Sequence, residues 1–268
     1  MAKKHPDEIR TFVRDKYAEV ANRDSKGCGC SASPSCCGDP SVSSVELSNL
    51  TGYSQEELND APEGSNLALG CGNPLAIASL EKGETIVDLG SGGGFDCFLA
   101  ARKVGESGRV IGVDMTPEMV ARARENARKT DYSNVEFRLG EIEHLPVGDG
   151  SADVIISNCV INLSPEKLSV FRETFRILKP GGRLAITDVV ASAPLPQELK
   201  ADLTLLSGCI AGAATIEELN TMLQEVGFTD IRISPLDGSR MFIKDWFPDL
   251  NLEDYVVSAT IEAVKPLA

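Results

Sequence analysis

The chain is short of positive charge, aromatic rings, histidine and long apolar runs. Lys plus Arg number 26 against 40 Asp plus Glu, a formal charge of −14. Such a chain repels phosphate backbones and anionic headgroups at long range, so neither nucleic acid nor a membrane is an expected partner. No apolar stretch reaches the ~20 residues that span a bilayer. The N-terminus, MAKKHPDEIR, has no apolar segment behind its charges, so no secretory leader is expected and the cytoplasm is the expected compartment. The two histidines, His5 and His144, are poorly placed for catalysis: one approaches the first helix, the other reads as packed or solvent-facing. The single tryptophan, Trp246, sits in MFIKDWFPDL, a run expected to anchor the C-terminal piece to the core, with lining of the substrate pocket as the alternative. Cysteine is not scarce, at 8 residues, but the C-x-x-C pairs of structural zinc sites are missing. Without a leader, these cysteines read as thiols in a reducing compartment, suited to metal or redox chemistry, and not as a disulfide framework.

The strongest pattern runs from Thr85 to Met115, TIVDLGSGGGFDCFLAARKVGESGRVIGVDM. Thr85 to Leu89 is β-branched and apolar, as a buried parallel strand should be. It enters Gly90-Ser91-Gly92-Gly93-Gly94, where backbone can approach a ligand without Cβ interference. Phe95 to Val104 has apolar residues at helical spacing, and a second strand, Arg109 to Val113, closes on Asp114. In open α/β sheets such a unit holds a nucleotide-like ligand at the carboxyl ends of the strands. A dinucleotide loop needs G-x-G-x-x-G. Counted from Gly90, its third glycine would fall at Phe95, which sets a nicotinamide-dependent dehydrogenase aside. The pattern present, Asp88, Gly90, Gly92 and Gly94, resembles the S-adenosylmethionine (SAM) loop of class I methyltransferases. The resemblance implies that the loop backbone packs on the methionine part and that Asp114 accepts hydrogen bonds from both ribose hydroxyls.

The rest of the chain alternates around that unit. Asp7 to Asn22 reads as an amphipathic helix. A Gly-, Ser- and Pro-rich loop follows, with Cys28, Cys30, Cys36 and Cys37. Ser54 and Glu57 have the spacing of a capping box, and Cys71 lies between Gly70 and Gly72 on a turn. Thr116 and Pro117 open a helix to Lys129. Val135 to Leu139 and Asp153 to Ser157 are strands, Pro165 to Leu178 a helix stopped at Lys179-Pro180-Gly181-Gly182, and Arg183 to Val190 a further strand. Pro196 to Leu206 and Ile216 to Val226 read as helices, Phe228 to Pro235 and Tyr255 to Val264 as strands that either extend the sheet or form an appended layer. The expected fold is α/β, a Rossmann-like doubly wound, mostly parallel sheet with a small C-terminal α+β region. Its expected parts are 1–65 (helix and Cys-rich loop), 66–192 (SAM-binding domain) and 193–268 (substrate region).

Three cysteines sit on turns that such a fold could bring together: Cys71 before the first strand, Cys159 after the fourth and Cys209 beyond the fifth. Cys97, inside a helix, reads as a small core residue. The segments GCGNP, ISNCVINLS, LKPGGRLAITDVV and SGCIAGA together resemble arsenite SAM methyltransferases, over roughly Gly64 to Gly212. The resemblance implies that Cys159 and Cys209 form a minimal As(III)-binding pair and that Cys71 is the third thiol. A fourth comes from the N-terminal loop, with Cys37 as the candidate, although the pattern does not choose among Cys28, Cys30, Cys36 and Cys37. The implied SAM-binding set is Asp88, Gly90, Ser91, Gly92, Gly94, Asp114, Met115, Glu141, Ile142 and Asn158. Within it, Glu141 or a neighbour takes the adenine amine and Ile142 covers a ring face, while Glu143 reads equally as a solvated charge. As(III) is soft and thiophilic, so thiolates suit it. The implied substrate is As(III) or its thiol conjugates, and the implied reductant is of thioredoxin or glutathione type. Two rivals remain: a methyltransferase for another small molecule such as a quinone, and a Cys-rich metalloid-binding protein.

Overall fold

Strands β1 (Thr85–Leu89), β2 (Arg109–Asp114), β3 (Val135–Leu139), β4 (Ala152–Asn158) and β5 (Leu178–Ala191) pair in parallel. The computed structural model describes residues 5–22, 44–200, 202–247 and 249–267. The sheet order is β3-β2-β1-β4-β5-β7-β6, where β6 is Thr229–Pro235 and β7 is Val256–Val264. β7 lies antiparallel between β5 and β6, so the two C-terminal strands extend the one sheet. β1 has neighbours on both sides and helices over both faces. That is why its apolar residues, Ile86, Val87 and Leu89, face both sides of the sheet and do not alternate with solvated ones.

The faces divide by residue parity. Val87, Leu89, Ile111 and Val113 pack toward α6 (Lys167–Ile177) and α9 (Ile216–Val226). Ile86, Val110, Val154 and Ile156 pack toward α4 (Phe95–Val104) and α5 (Pro117–Arg128). Phe98 and Phe171, one on each side, are fully enclosed. Truncating either to alanine would cost about 3–5 kcal/mol.

The chain winds β1, β2, β3 outward on one side and then crosses to β4 on the other. The crevice of such a sheet opens where the order reverses, at the carboxyl ends of β1 and β4. There the glycine loop after β1 meets Asn158-Cys159 after β4. A third apolar cluster caps this end, combining Val13 of α1 (Pro6–Ala21), Leu205 of α8 (Leu203–Ser207) and Ile243 of α10 (Arg240–Ile243) with Cys71, Cys159 and Cys209. The short helices α2 (Ser44–Leu50) and α3 (Gln55–Asp60) precede the crevice, and α7 (Gln197–Lys200) precedes α8.

Several local expectations shift. The Lys179–Gly182 turn is absorbed into β5: Gly181 takes φ 79°, and backbone bonds with Lys265 (2.8 Å each way) keep the segment extended. The helix expected over Pro196 to Leu206 divides into α7 and α8, because Asp202 caps α8 by accepting from Thr204 N at 2.7 Å. The capping boxes at Ser54–Glu57 and Thr215–Glu218 form. No helix among the described residues is long and apolar enough to cross a membrane.

Candidate active site

A cleft of about 1160 Å³, mouth included, opens at the switch point. Its floor is the glycine loop. Gly92, at φ 51°, has open space where a Cβ would project, and Gly90, at φ 68°, approaches so closely that a Cβ would meet Val160 at 2.3 Å. A side chain at Gly90 would have to displace Val160, whereas at Gly92 only the left-handed backbone disfavours one. Asp114 ends β2 and accepts from Gly92 N (2.9 Å) and Thr116 N (2.8 Å). A carboxylate has about four lone-pair sites, so roughly two remain for a ligand. Burial raises the Asp114 pKa against these two amide bonds. Asp88 lies deeper; burial and then Asp96 and Asp114 push its pKa well up, although it accepts from the Cys97 thiol at 3.2 Å. Burial also pushes Asp96 up to about 6, opposed by hydrogen bonds from Tyr53 Oη (2.7 Å) and Asn158.

The roof is α1. Arg10, Val13 and Tyr17 reach the cleft, and the Arg10 guanidinium bonds to Glu143 (3.3 Å) and to Glu166. Glu143 also accepts from Ser164 Oγ at 2.6 Å. It is 4% exposed, so it is a buried partner of α1 and not a solvated charge.

Beside the cleft lies a second cavity of about 690 Å³, open to solvent. Cys159 lines both cavities, as do Tyr17, Leu47 and Leu69. Cys209, Trp246 and Phe247 line only the second, so Trp246 belongs to a pocket wall as well as to the core. The sulfurs of Cys71 and Cys159 and a carboxylate oxygen of Asp188 lie within 4.8 Å of one another. Cys209 Sγ donates to the Cys159 carbonyl at 2.8 Å, and its thiol stands beside that of Cys159. Residues 71, 159 and 209 are thus brought together from three separate turns. Each thiol is buried. Cys159 beside Cys71, together with burial, pushes the Cys71 thiol well up; Cys209 and burial do the same to Cys159.

One side chain of the cleft wall reaches the thiol cluster. Asn158 accepts from Cys71 N (3.0 Å) and Thr187 Oγ1 (3.1 Å), and its amide donates to Gly72 O (2.8 Å) and Tyr53 Oη (3.0 Å). The glycines flanking Cys71 permit this contact: a Cβ at Gly70 would meet Asn158 at 2.4 Å, and one at Gly72 would meet Thr187 at 2.8 Å.

A family model described as a methyltransferase domain matches residues 80–227. The arsenite methyltransferase of Halobacterium salinarum is 52% identical over 271 residues, covering 99% of this chain and 69% of that protein. The chain belongs to the arsenite methyltransferase family. The arsenite methyltransferase of Aquipseudomonas alcaligenes is 46% identical over 64% of this chain, which spans only 51% of it. The crystal structure of the arsenic(III) S-adenosylmethionine methyltransferase of Chlamydomonas reinhardtii superposes with a TM-score of 0.60 at 34% identity, over 82% of this chain and 72% of that one. SAM is the methyl donor of this family.

The cleft of this arsenite methyltransferase family member fits SAM. Its acceptor sites at Asp114 suit hydroxyls, Met115 and Ile142 give apolar walls, and the buried Ser91 Oγ beside them has no hydrogen-bond partner among the described residues. Of the residues assigned from sequence, Asp88, Gly90, Ser91, Gly92, Asp114, Met115, Ile142 and Asn158 line the cleft. Gly94 and Glu141 do not. Gly94 turns the backbone into α4 at φ 91° with Phe137 and Phe98 behind it, and Glu141 faces Arg10 at 3.6 Å on the outer side of its turn. Cys37, with Cys28, Cys30 and Cys36, lies outside the described residues. Sequence reasoning missed Arg10, Tyr53, Asn162 and Asp188; only the acid ending LAITD at β5 offered a signal, by analogy with Asp114 ending β2.

Proposed function

We propose that this chain transfers methyl groups from SAM to As(III) held by Cys71, Cys159 and Cys209, giving mono- and further methylated arsenicals. The convergence of these thiols around Cys159, which lines both cavities, carries the reading. SAM, when bound, supplies a sulfonium-activated methyl carbon and leaves as S-adenosylhomocysteine. The thiolates hold As(III) in a pyramid, which leaves its lone pair uncovered on the side away from sulfur. That nucleophile carries no proton, so no general base is needed, consistent with the absence of a histidine from the cleft lining. The task of the protein is alignment of two bound partners. Tyr17, Leu69 and Met115 give the cleft beside Cys159 apolar walls.

Burial and the neighbouring thiols push the Cys71 and Cys159 thiols well up, which favours their protonated forms. On binding arsenous acid, each thiol proton leaves with an arsenic hydroxyl as water. Attack proceeds through the thiolate, so the rate of arsenic capture rises as pH rises toward the elevated thiol pKa values. Methylation takes two electrons from arsenic. A pair of thiols returns them by closing to a disulfide, which an external dithiol of thioredoxin type, or glutathione, then reopens. The N-terminal cysteines, Cys37 among them, supply the fourth thiol. Such a cycle belongs in a reducing compartment, the cytoplasm.

The test is to incubate the purified protein with SAM, arsenite and a dithiol, and to separate arsenic species by chromatography. Methylarsenicals matched by S-adenosylhomocysteine are expected. Arsenite binding without either product would make the chain a metalloid-binding protein. Methylation of a quinone with arsenite untouched would favour the other rival.

A further inference from the structure

The two cysteines of the proposed arsenic pair both have backbone that a side chain disfavours: φ is 58° at Cys159 and 63° at Cys209. Left-handed backbone costs a residue with a Cβ on the order of 1–3 kcal/mol and persists only where its surroundings fix it. Backbone bonds hold each turn locally, Cys159 N to Thr187 O (2.8 Å) and Cys209 N to Leu206 O (2.9 Å), and one pair of buried side chains, Asn162 and Asp188, ties the two turns to each other.

Asp188, on β5, accepts from Ile161 N (2.8 Å), Asn162 N (3.4 Å) and Val189 N (2.7 Å), and so grips the turn that carries Cys159. The Asn162 amide donates to Asp188 (2.9 Å), to Val189 O (2.5 Å) and to Cys209 O (3.2 Å). The Cys209 backbone is therefore tied, through one amide, to the turn of Cys159. On the far side, the turn after Cys209 closes directly on Asn162. A Cβ at Gly212 would stand 2.1 Å from the Asn162 carbonyl oxygen. Asn162 and Asp188 are both 2% exposed, and neither lines the SAM cleft.

Resting on the arsenic reading above, we infer that Asn162 and Asp188 are positioning residues that clamp the Cys159 and Cys209 turns together and so set the separation of their sulfurs. Without the clamp the thiols remain, but their strained backbones relax apart and the chelate is lost. An amide is suited to this role because its two N–H groups can hold two turns at once, which a hydroxyl cannot.

The experiment compares the wild type with Asn162→Leu, Asp188→Asn and Gly212→Ala. Arsenite binding is followed by the fluorescence of Trp246, the single tryptophan of the chain, and by arsenic retained on gel filtration; SAM binding is followed by calorimetry. The expected result is an arsenite Kd raised at least tenfold in Asn162→Leu and Gly212→Ala and at least threefold in Asp188→Asn, with SAM Kd within twofold of wild type. In turnover, KM for arsenite rises in step while KM for SAM does not. Gly212→Ala removes no hydrogen-bonding group, so it carries the test if Asn162→Leu fails to fold. Arsenite affinity within twofold of wild type in the folded variants would overturn the clamp, as would arsenite and SAM affinity falling together. A wild type that retains no arsenic overturns the arsenic reading itself, and this inference with it.

Discussion

The two cavities that share Cys159 are built in opposite ways. The SAM cleft takes its floor from one contiguous strand, loop, helix and strand, Thr85 to Asp114, and its glycines accept positive φ without cost. The second is lined by Cys159 and Cys209, with Cys71 buried behind Cys159; the three come from separate turns, and two of these cysteines have left-handed backbone. The first is a local motif that its own sequence specifies. The second exists only once the sheet order has formed, and strain at its cysteines is held by long-range bonds. Cofactor and metalloid binding should therefore respond to different mutations, with Asn158 as the residue where the two meet.

The largest separation is expected from Cys159→Ser and Cys209→Ser. Each should lower arsenite methylation at least a hundredfold, since a hydroxyl is a poor ligand for a soft centre, while calorimetry finds SAM Kd within twofold of wild type. Equal loss of both affinities would erase the distinction between the cavities. The reciprocal variant is Asp114→Ala. Hydrogen bonds to a charged group contribute about 1.5–3 kcal/mol each, so SAM Kd should rise tenfold to a hundredfold with arsenite Kd unchanged. Asn158→Ala should blur the comparison. It releases Cys71 N and Gly72 O on one side and Tyr53 on the other, and KM for both arsenite and SAM should rise about three- to tenfold in steady-state assays.

The smallest effect concerns stability. Burial raises the Asp96 pKa to about 6, above the ~3.9 of an unfolded aspartate. An acid shifted upward favours the fold below its unfolded pKa, and that contribution is lost as pH rises through the folded one. At pH 7.5 the buried charge thus costs on the order of 2–3 kcal/mol, and at pH 5 about half as much. Asp96→Asn should stabilise the protein against urea by about that amount, more at pH 7.5 than at pH 5.

The same contrast explains what could be read without coordinates. The glycine pattern, Asp88 and Asp114 were legible because a strand, a turn and a helix lie within thirty-odd residues of one another, on the order of a single βαβ unit. The parallel core was legible from its β-branched runs. Cys159 was legible as the residue just past the carboxyl end of β4. The contacts between elements were not. Nothing in α1 signals that Arg10 reaches Glu143 across 133 positions. Glu141 and Glu143 differ only in which side of a turn they face, and sequence gives no parity there. Gly94 matched the motif, yet it serves the entry to α4. Composition leaves Trp246 between core and pocket wall, and it serves as both, packed on the third apolar cluster while lining the second cavity. Asn162 drew no attention, since a buried amide is visible only when its acceptors are.

The most direct measurement is an anomalous difference map at the arsenic edge, from crystals grown with arsenite and S-adenosylhomocysteine. The account predicts one arsenic peak within bonding distance of the Cys159 and Cys209 sulfurs, with Cys71 as the third ligand, facing the cofactor sulfur. An arsenic atom bound away from Cys159 and Cys209, with the cofactor in place, would contradict it.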